Sequence, residues 1–289
     1  MRRILLLAAT MALALVLVGG VAISKQPQDP PDKGSGELPR STTVKASFAS
    51  GSGLDFLGVK VSNHGNLISF ESPAGRQAVF GGREGYAVCS QGGGLVHGHD
   101  TGDVEEGFGA PTFAQPNGAG TFPLTVTRRT TDGTFQLTQV WNKPDAIEKD
   151  VTVAMTLKNI SGAPIDNNVM LTRSGDFDIG DSSADLGAET RDSAWVWDDE
   201  TGPDRQPAGL KLAALTFGTS HAARMETTSD WMIGRTSPSL PASRLGCLDL
   251  FTQTPTPEAR DLAMRSFYLF EGGLAAGQSK TVKFQYGRM

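Results

Sequence analysis

Several features common in other protein classes are missing from this sequence. No run of lysine and arginine is present, and the formal net charge is −5. A partner rich in phosphate needs clustered basic residues to neutralise it, so nucleic acid and anionic membrane surfaces are excluded as partners. The sequence also lacks a serine nucleophile elbow and an HExxH helix. The glycines at 92–94 are not followed by the lysine and helix of a phosphate loop, so no familiar catalytic motif assigns an activity.

Strong amphipathic helices are missing as well. Hydrophobic residues make up 38% of the chain, which is low for a tight helical protein, whereas 35 of its 289 residues are glycine. Many short strands joined by glycine turns account for both values. The best short helix is predicted at Glu258–Met264. We therefore predict an all-β protein, an antiparallel β-sandwich or supersandwich, formed as a single domain by residues 44–289.

The N-terminus predicts export. Arg2 and Arg3 precede an apolar run from Ile4 to Val18, and small residues end at Ser24, as in a secretory signal peptide spanning residues 1–24. An uncleaved N-terminal anchor is the alternative, and it would be the protein's one link to a membrane. No cysteine follows the run, which argues against a lipoprotein. Residues 25–43 hold four prolines and almost no apolar residue, so we predict a linker. The expected location is secreted, periplasmic or at the cell surface.

Only two cysteines remain in the exported chain, Cys89 and Cys247. In an oxidising compartment two distant cysteines form one bridge more often than not, and a bridge closing so long a loop contributes about 4–5 kcal/mol in the chain-entropy model. Two buried thiols packed as small hydrophobes are the alternative.

The clearest strands surround Val151–Leu157, where apolar and polar residues alternate with the period of a half-buried strand. Before them, LTVTRRTT and TFQLTQVW flank Asp132-Gly133, the pair favoured by a two-residue type I′ turn. We predict an antiparallel meander here, with the run around Val169 continuing it. Met264–Phe270 and Thr281–Tyr286 are predicted to form the last strand pair.

Residues 91–120 form the first candidate site, a glycine-rich acidic stretch without a sustained period. Long loops of this kind are uncommon and tend to be either functional or disordered. His97, His99, Asp100 and Asp103 are its candidate ligand-binding residues, with Glu105 and Glu106 beside them. Two histidines at i and i+2 of a strand share a face, which suits a metal or a general base. The spacing matches no zinc signature, and a solvated loop remains the alternative.

Acids after the central strands form the second candidate site. Asp176, Asp178 and Asp181, with Asp185 beyond them, lie in a glycine-containing segment, and calcium takes six to eight oxygen ligands. The full twelve-residue calcium loop is absent. Carboxylates capping turns are the alternative explanation.

Trp195 and Trp197 form the third candidate site, because they lie on one side of the predicted strand SAWVWD. An exposed pair of indole rings can stack on sugars, whereas a buried pair would belong to the core.

Several sequence blocks occur in a recognisable order. They are SNHGNLISFESPAG, EGYAVC, the TDG hairpin with QLTQVW, the text of residues 151–162, and GGLAAGQSKTVKFQY. Together they resemble a group of uncharacterised secreted bacterial proteins, which implies an exported β-rich protein with no assigned activity. A more distant likeness is to the galactose-mutarotase-like β-supersandwich. The segment Leu171–Ser174 lacks the histidine that the mutarotase-like proteins would have there. This likeness therefore implies the fold and no catalytic residues.

Three functions are compatible with these observations. The first is a non-catalytic module that binds carbohydrate or another ligand, using residues 91–120 and the two tryptophans. The second is a carbohydrate-active enzyme of mutarotase or lyase type, with His97 and His99 in acid–base roles. The third is a calcium-stabilised structural protein of the cell envelope. No cofactor beyond calcium is indicated, and the balance favours a protein that is not an enzyme.

Overall fold

The computed structural model describes residues 23–24, 43–79, 84–90, 95–100, 105–177, 179, 185–198, 208–216, 218–227 and 262–289. These residues form strands and one turn of 3-10 helix, Gly53–Asp55. The strands are β1 Ile23–Ser24, β2 Val44–Ser50, β3 Leu57–Ser62, β4 Leu67–Glu71, β5 Glu84–Ser90, β6 Leu95–Asp100, β7 Glu105–Glu106, β8 Thr112–Ala114, β9 Leu124–Arg129, β10 Phe135–Trp141, β11 Asp150–Asn159, β12 Val169–Asp176, β13 Asp185–Glu189, β14 Ser193–Asp198, β15 Gly209–Ala214, β16 Ser220–Thr227, β17 Leu262–Phe270 and β18 Ser279–Arg288.

The strands form three antiparallel sheets. A nine-stranded sheet has the order β1-β13-β14-β15-β18-β11-β10-β9-β8, and a six-stranded sheet has the order β16-β17-β12-β5-β6-β7. The third sheet, β2-β3-β4, has three strands. One apolar cluster takes residues from all three sheets, with Val59, Val88 and Leu137 as examples. The all-β sandwich predicted from the sequence is confirmed.

Alternation sets which side chains enter this core. Along β10, Phe135, Leu137, Gln139 and Trp141 are buried, while the residues between them are partly exposed. Successive side chains of a strand point to opposite faces, so one face of β10 contacts the core and the other contacts solvent. The same pattern along β9 buries Arg128 in line with Leu124 and Val126. β12 is buried on both faces, and Arg173 lies on the same face as Val169 and Leu171. These two arginines position the candidate site.

The predicted meander is confirmed for β9, β10 and β11, which are neighbours in the nine-stranded sheet. The strand that follows, β12, instead joins the six-stranded sheet between β5 and β17. The prediction that the last two strands pair is wrong: β17 pairs with β12 and β16, while β18 pairs with β11 and β15. Local periodicity marks each strand but does not tell which sheet it joins.

The hairpin between β9 and β10 has a longer turn than predicted. The amide of Thr130 donates to the carbonyl of Phe135, which leaves four residues in the loop. Gly133 has φ +72°, whereas Asp132 is not among the residues with positive φ. A type I′ turn needs positive φ at both central residues, so that prediction is wrong. In the longer loop the Asp132 side chain accepts hydrogen bonds from Thr130 and from the amide of Thr134.

Part of the stretch predicted as an irregular loop is strand, namely β6, β7 and β8. A β-bulge in β6 conceals the period. Val88 pairs with Gly98 and Cys89 with Val96, so His97 is an extra residue without a cross-strand partner. The predicted helix at 258–264 is also absent from the part that is described, because β17 begins at Leu262.

No helix in the described ranges is long and apolar enough to cross a membrane. Residues 1–22 of the predicted leader, 1–24, and residues 25–42 of the predicted linker, 25–43, lie outside those ranges.

Candidate functional site

The candidate site is built around the turn between β3 and β4. Ser62 closes the turn, because its amide donates to the carbonyl of Asn66 at 2.9 Å and its hydroxyl accepts from the amides of His64 and Asn66. Gly65 has φ +87°, a conformation that glycine adopts without strain. The tip of the turn therefore presents the carbonyls of His64 and Gly65 to the two larger sheets.

Side chains from both larger sheets hold this tip. The hydroxyl of Tyr86 on β5 donates to the His64 carbonyl at 2.7 Å. From β10, the indole of Trp141 donates to the Gly65 carbonyl at 3.2 Å. Arg173 on β12 donates to the same carbonyl at 3.1 Å. The turn is thus the point where all three sheets meet, and the imidazole of His64 is fixed there.

Five side chains meet at this point, and we call them the junction cluster: His64, Tyr86, Asp100, Glu105 and Arg128. The Nδ1 atom of His64 lies 3.0 Å from Asp100 Oδ2 and 2.8 Å from Glu105 Oε2. Arg128 donates to Asp100 at 2.8 Å, and its other terminal nitrogen binds Glu105. Tyr86 accepts a further bond from Arg128 at 3.2 Å. Two cationic groups and two carboxylates therefore lie in direct contact.

The junction cluster opens to solvent at one edge. Asp100 and Arg128 are 1% exposed at their side chains, whereas the side chains of His64 and Glu105 are 18% and 28% exposed. Within the described residues no hydrogen-bond partner contacts Nε2 of His64. A solvent molecule or ligand that reaches the cluster would meet His64 and Glu105 first.

The electrostatics keep both of these groups charged. Burial lowers the pKa of His64, but the hydrogen bonds that it donates to Asp100 and Glu105 outweigh burial and raise that pKa to about 9. Burial raises the pKa of Glu105, but the hydrogen bond with His64 and the charge of Arg128 prevail, and the pKa falls below its usual value. At neutral pH the cluster presents an imidazolium beside a carboxylate.

A second group lies directly behind the junction cluster, and we call it the sealed cluster: Glu84, Gln139, Arg173 and Tyr286. Arg173 binds Glu84 through two nitrogens, with Nε–Oε1 and Nη2–Oε2 distances of 2.8 and 2.7 Å, and donates to Gln139 at 2.7 Å. The charge of Glu84 outweighs burial and raises the pKa of Arg173 above its ordinary value. Arg173, Glu84 and Tyr286 are completely buried, so no ligand reaches them.

His64, Asp100 and Glu105 offer three potential metal-ligand atoms within 4.8 Å of one another. Their surroundings fit a metal poorly. Arg128 already binds both carboxylates, and the raised pKa of His64 keeps a proton on the imidazole that a metal would have to displace. The arrangement is better suited to proton transfer than to holding a divalent cation.

The structure separates the histidines that the sequence grouped. The bulge in β6 gives His97 and His99 different surroundings, so the expectation that they share a face is wrong. His97 Nδ1 lies 2.6 Å from Asp132 Oδ2, and its Nε2 lies 3.0 Å from the Ser90 hydroxyl. His99 is 1% exposed, and its Nε2 has no hydrogen-bond partner in the described part of the chain. Burial there lowers the pKa of His99.

Asp100 is the predicted site residue that the structure places in the junction cluster, and Glu105 joins it there. Asp103 lies outside the described residues, as do Asp178 and Asp181 of the calcium prediction. The backbone of Asp176 ends β12, opposite Ala263. The calcium site therefore stays a prediction.

The two tryptophans lie far from the junction cluster. Trp195 and Trp197 are partly exposed on β14, while Ala194 before them and Val196 between them belong to the core. The tryptophans are therefore on the outer face of the nine-stranded sheet. Five strand positions separate β14 from β9, which is roughly 24 Å at the usual strand spacing. The described residues of the first candidate stretch, 95–100 and 105–120, belong to other strands than β14, and a site that they share with the tryptophans stays a prediction.

Cys89 is buried on β5 and is not a free thiol. Its predicted partner, Cys247, lies outside the described residues. The pairing of these two residues stays a prediction.

Both clusters are completed by residues that the sequence analysis did not single out: His64, Glu84, Tyr86, Arg128, Gln139, Arg173 and Tyr286. The sequence pattern does indicate that the two arginines are buried. Each follows hydrophobic residues at i−2 and i−4 in a strand, so it lies on the same face as those residues. A charged residue on the buried face of a strand requires a partner, because an unpaired buried charge is costly. Which residue would be that partner was not visible in the sequence.

Comparisons with known proteins identify no family for this chain. No family model and no curated protein matches the chain. Among solved structures, the chain is similar to a crystal structure from Escherichia coli K12 described as "Putative aldose 1-epimerase". The TM-score is 0.42 and the sequences are 8% identical, over 85% of this chain and 99% of the other. At this TM-score and identity the likeness carries no argument about the family of this chain or the role of any residue.

Proposed function

We propose that the protein acts on a small carbohydrate by proton transfer at the open edge of the junction cluster, with His64 as the acid. One observation carries this proposal: the imidazole is held at Nδ1 by two carboxylates, while Nε2 has no partner among the described residues. A side chain fixed and polarised in this way is suited to giving a proton to a bound oxygen and taking it back.

The charges of the cluster support this role. With a pKa of about 9, His64 holds its proton at neutral pH and can donate it from Nε2. Glu105, whose pKa is lowered, stays ionised beside it and can accept a hydrogen bond from a hydroxyl. Sugar hydroxyls both donate and accept, so they complement a donor and an acceptor placed side by side. General acid–base catalysis of this kind contributes about 10²–10⁴-fold to a rate.

Interconversion of aldose anomers is the first reaction to test. The bond between the anomeric carbon and the ring oxygen breaks as the ring oxygen gains a proton and the anomeric hydroxyl loses one. After rotation of the free aldehyde the reverse transfers close the ring again, so acid–base groups suffice. We expect the wild-type protein to accelerate it, as followed by polarimetry or proton NMR, and His64→Gln to lose about 10²-fold or more of that acceleration. The matched control is His221→Gln, because the imidazole of His221 also contacts a carboxylate, that of Asp192, at 2.5 Å. Equal rates for wild type and His64→Gln would reject His64 as the acid.

Carbohydrate binding without catalysis is a second candidate, favoured by the position of the tryptophans. Trp195 and Trp197 are partly exposed on one outer face, and the ammonium of Lys211 lies 5.9 Å from the centre of the Trp195 ring. Aromatic faces of this kind can stack on sugars. Calorimetry with a panel of glycans would test it. We expect Trp195→Ala and Trp197→Ala to remove binding and His64→Gln to retain it. Binding that survives both tryptophan changes would exclude this face.

We infer that the chain is exported and that Cys89 pairs with Cys247. The leader-like N-terminus and the absence of a free thiol at Cys89 support both inferences. Intact mass with and without reductant would test the bridge. Two alkylatable thiols before reduction would contradict it.

A further inference from the structure

A hydrogen-bonded chain of serine, histidine and aspartate lies on β5, β6 and the β9–β10 loop, apart from the junction cluster. The Ser90 hydroxyl is 3.0 Å from His97 Nε2, and His97 Nδ1 is 2.6 Å from Asp132 Oδ2. The order of atoms is the one that nucleophilic catalysis requires. The base contacts the nucleophile through one ring nitrogen, and an acid orients it through the other.

Local structure explains why these side chains meet. The bulge in β6 makes His97 an extra residue and releases it from the strand alternation. Phe135 packs edge-on against its ring, with the centroids 4.7 Å apart, and fixes its plane. Ser90 is the last residue of β5 and belongs to the same hairpin as His97. The histidine is therefore held between its two partners.

Hydrogen bonds within the four-residue loop fix the side chain of Asp132. Its Oδ1 accepts bonds from the Thr130 hydroxyl at 2.6 Å and from the Thr134 amide at 2.9 Å, which leaves Oδ2 for His97. Burial raises the pKa of Asp132, but these hydrogen bonds prevail and lower it to about 2. The carboxylate is ionised at neutral pH and fixes the ring so that Nε2 faces Ser90.

We propose that Ser90, His97 and Asp132 form an acyl-transfer site that cleaves small carboxylic esters. In the first step Ser90 Oγ bonds to the ester carbonyl carbon, its proton passes to His97 Nε2, and the carbon–oxygen bond of the alcohol breaks. His97 then gives that proton to the departing alcohol. In the second step water attacks the acyl-serine, its proton passes through His97 to Ser90 Oγ, and the carboxylic acid leaves. Atoms and charges balance with water as the one co-reactant.

The limited access to Ser90 sets the class of substrate. The residue keeps 6% of its surface exposed, and His97 keeps 7%. A bulky acyl group cannot approach such a hydroxyl, whereas an acetyl group is the smallest common carboxylic acyl group. Acetyl esters are therefore the expected substrates. This activity uses no residue of the junction cluster, so it goes beyond the proposed function and does not depend on it.

Covalent labelling of the full-length protein with a short-chain fluorophosphonate would test the site, with intact mass and peptide mapping to locate the adduct. Hydrolysis of 4-nitrophenyl acetate provides the rate. We expect one adduct on Ser90, absent from Ser90→Ala. His97→Gln and Asp132→Asn should react about 10²–10⁴-fold more slowly, because each removes the general base or its orientation. Ser220→Ala is the control, since Ser220 donates to an exposed acid, Glu271, rather than to a histidine.

Three results would overturn the proposal. They are a folded wild-type protein that takes up no probe, an adduct mapped to another residue, and labelling of Ser90 at an unchanged rate in both His97→Gln and Asp132→Asn. Circular dichroism on each variant establishes that it is folded. Because His97→Gln and Asp132→Asn test the same site, the experiment stays decisive if one of them does not fold. Loss of labelling in His64→Gln is not expected, which separates this site from the proposed carbohydrate site.

Discussion

The junction cluster and the sealed cluster use the same components with different access to solvent. Each has a buried arginine on a strand of the core, a carboxylate bound through two or more contacts, and a tyrosine hydroxyl. In the sealed cluster Arg173 and Glu84 are 0% exposed. In the junction cluster the charges continue outward to His64 and Glu105, which remain partly exposed. The comparison indicates that the sealed cluster holds the sheets together, whereas the junction cluster can also meet a ligand.

The largest effect is expected from Arg173→Met. The change leaves Glu84 completely buried without its cation, and breaking a buried ion pair costs about 3–5 kcal/mol. It also removes the guanidinium from the face of Trp141, 4.8 Å from the ring centre. Urea unfolding would measure the loss. Arg129→Met is the control, because Arg129 is exposed on β9. We expect that substitution to change the free energy of unfolding by about 0.5 kcal/mol or less. Similar losses in the two variants would show that the sealed cluster does not hold the sheets.

A smaller loss is expected from Arg128→Met, about 2 kcal/mol. Asp100 keeps contacts with His64 and with the amide of Asn66, and Glu105 can be hydrated, so less charge is left unpaired than in the sealed cluster. Arg128 also lowers the pKa of His64, so its removal should raise that pKa above about 9. Urea unfolding and an NMR titration of His64 would measure the two effects. A fall in the His64 pKa would contradict the described charge balance.

Gly65→Ala tests the link between the clusters, with an expected loss of about 2 kcal/mol. A Cβ atom there would lie 2.6 Å from the Gln139 amide nitrogen, and Gln139 is held by Arg173 and by the carbonyl of His64. Gly162→Ala is a matched control, because its φ of +79° brings the same backbone strain with no atom within 4 Å. Equal losses of stability in the two variants would show that the close contact with Gln139 does not contribute to the loss.

The strands of both clusters could be predicted from the sequence, but their partners could not. Alternation placed Arg128 and Arg173 in strands next to buried residues. The contact from His64 to Asp100 spans 36 residues, and that from Tyr286 to Glu84 spans 202. Such pairs depend on which sheet each strand joins, and β12 and β17 joined a sheet that local periodicity did not indicate. The bulge at His97 interrupts the period of β6, and β7 and β8 are too short, at two and three residues, to show a period. The sequence pattern therefore predicted a loop where there are three strands.

The smallest expected effect is on the pH dependence of stability, and it distinguishes the junction cluster from the sealed cluster. The pKa of His64 is raised in the folded protein from 6.5 to about 9. The contribution of His64 to the free energy of unfolding is therefore complete below about pH 6.5 and is lost as the pH rises through about 9. Because the side chain is partly exposed, we expect this contribution to be about 1 kcal/mol or less. The difference in unfolding free energy between wild type and His64→Gln, measured from pH 6 to pH 10, should shrink across that window. A difference that grows with pH would mean that the imidazole is neutral in the folded protein, and His64 could then not be the acid at neutral pH.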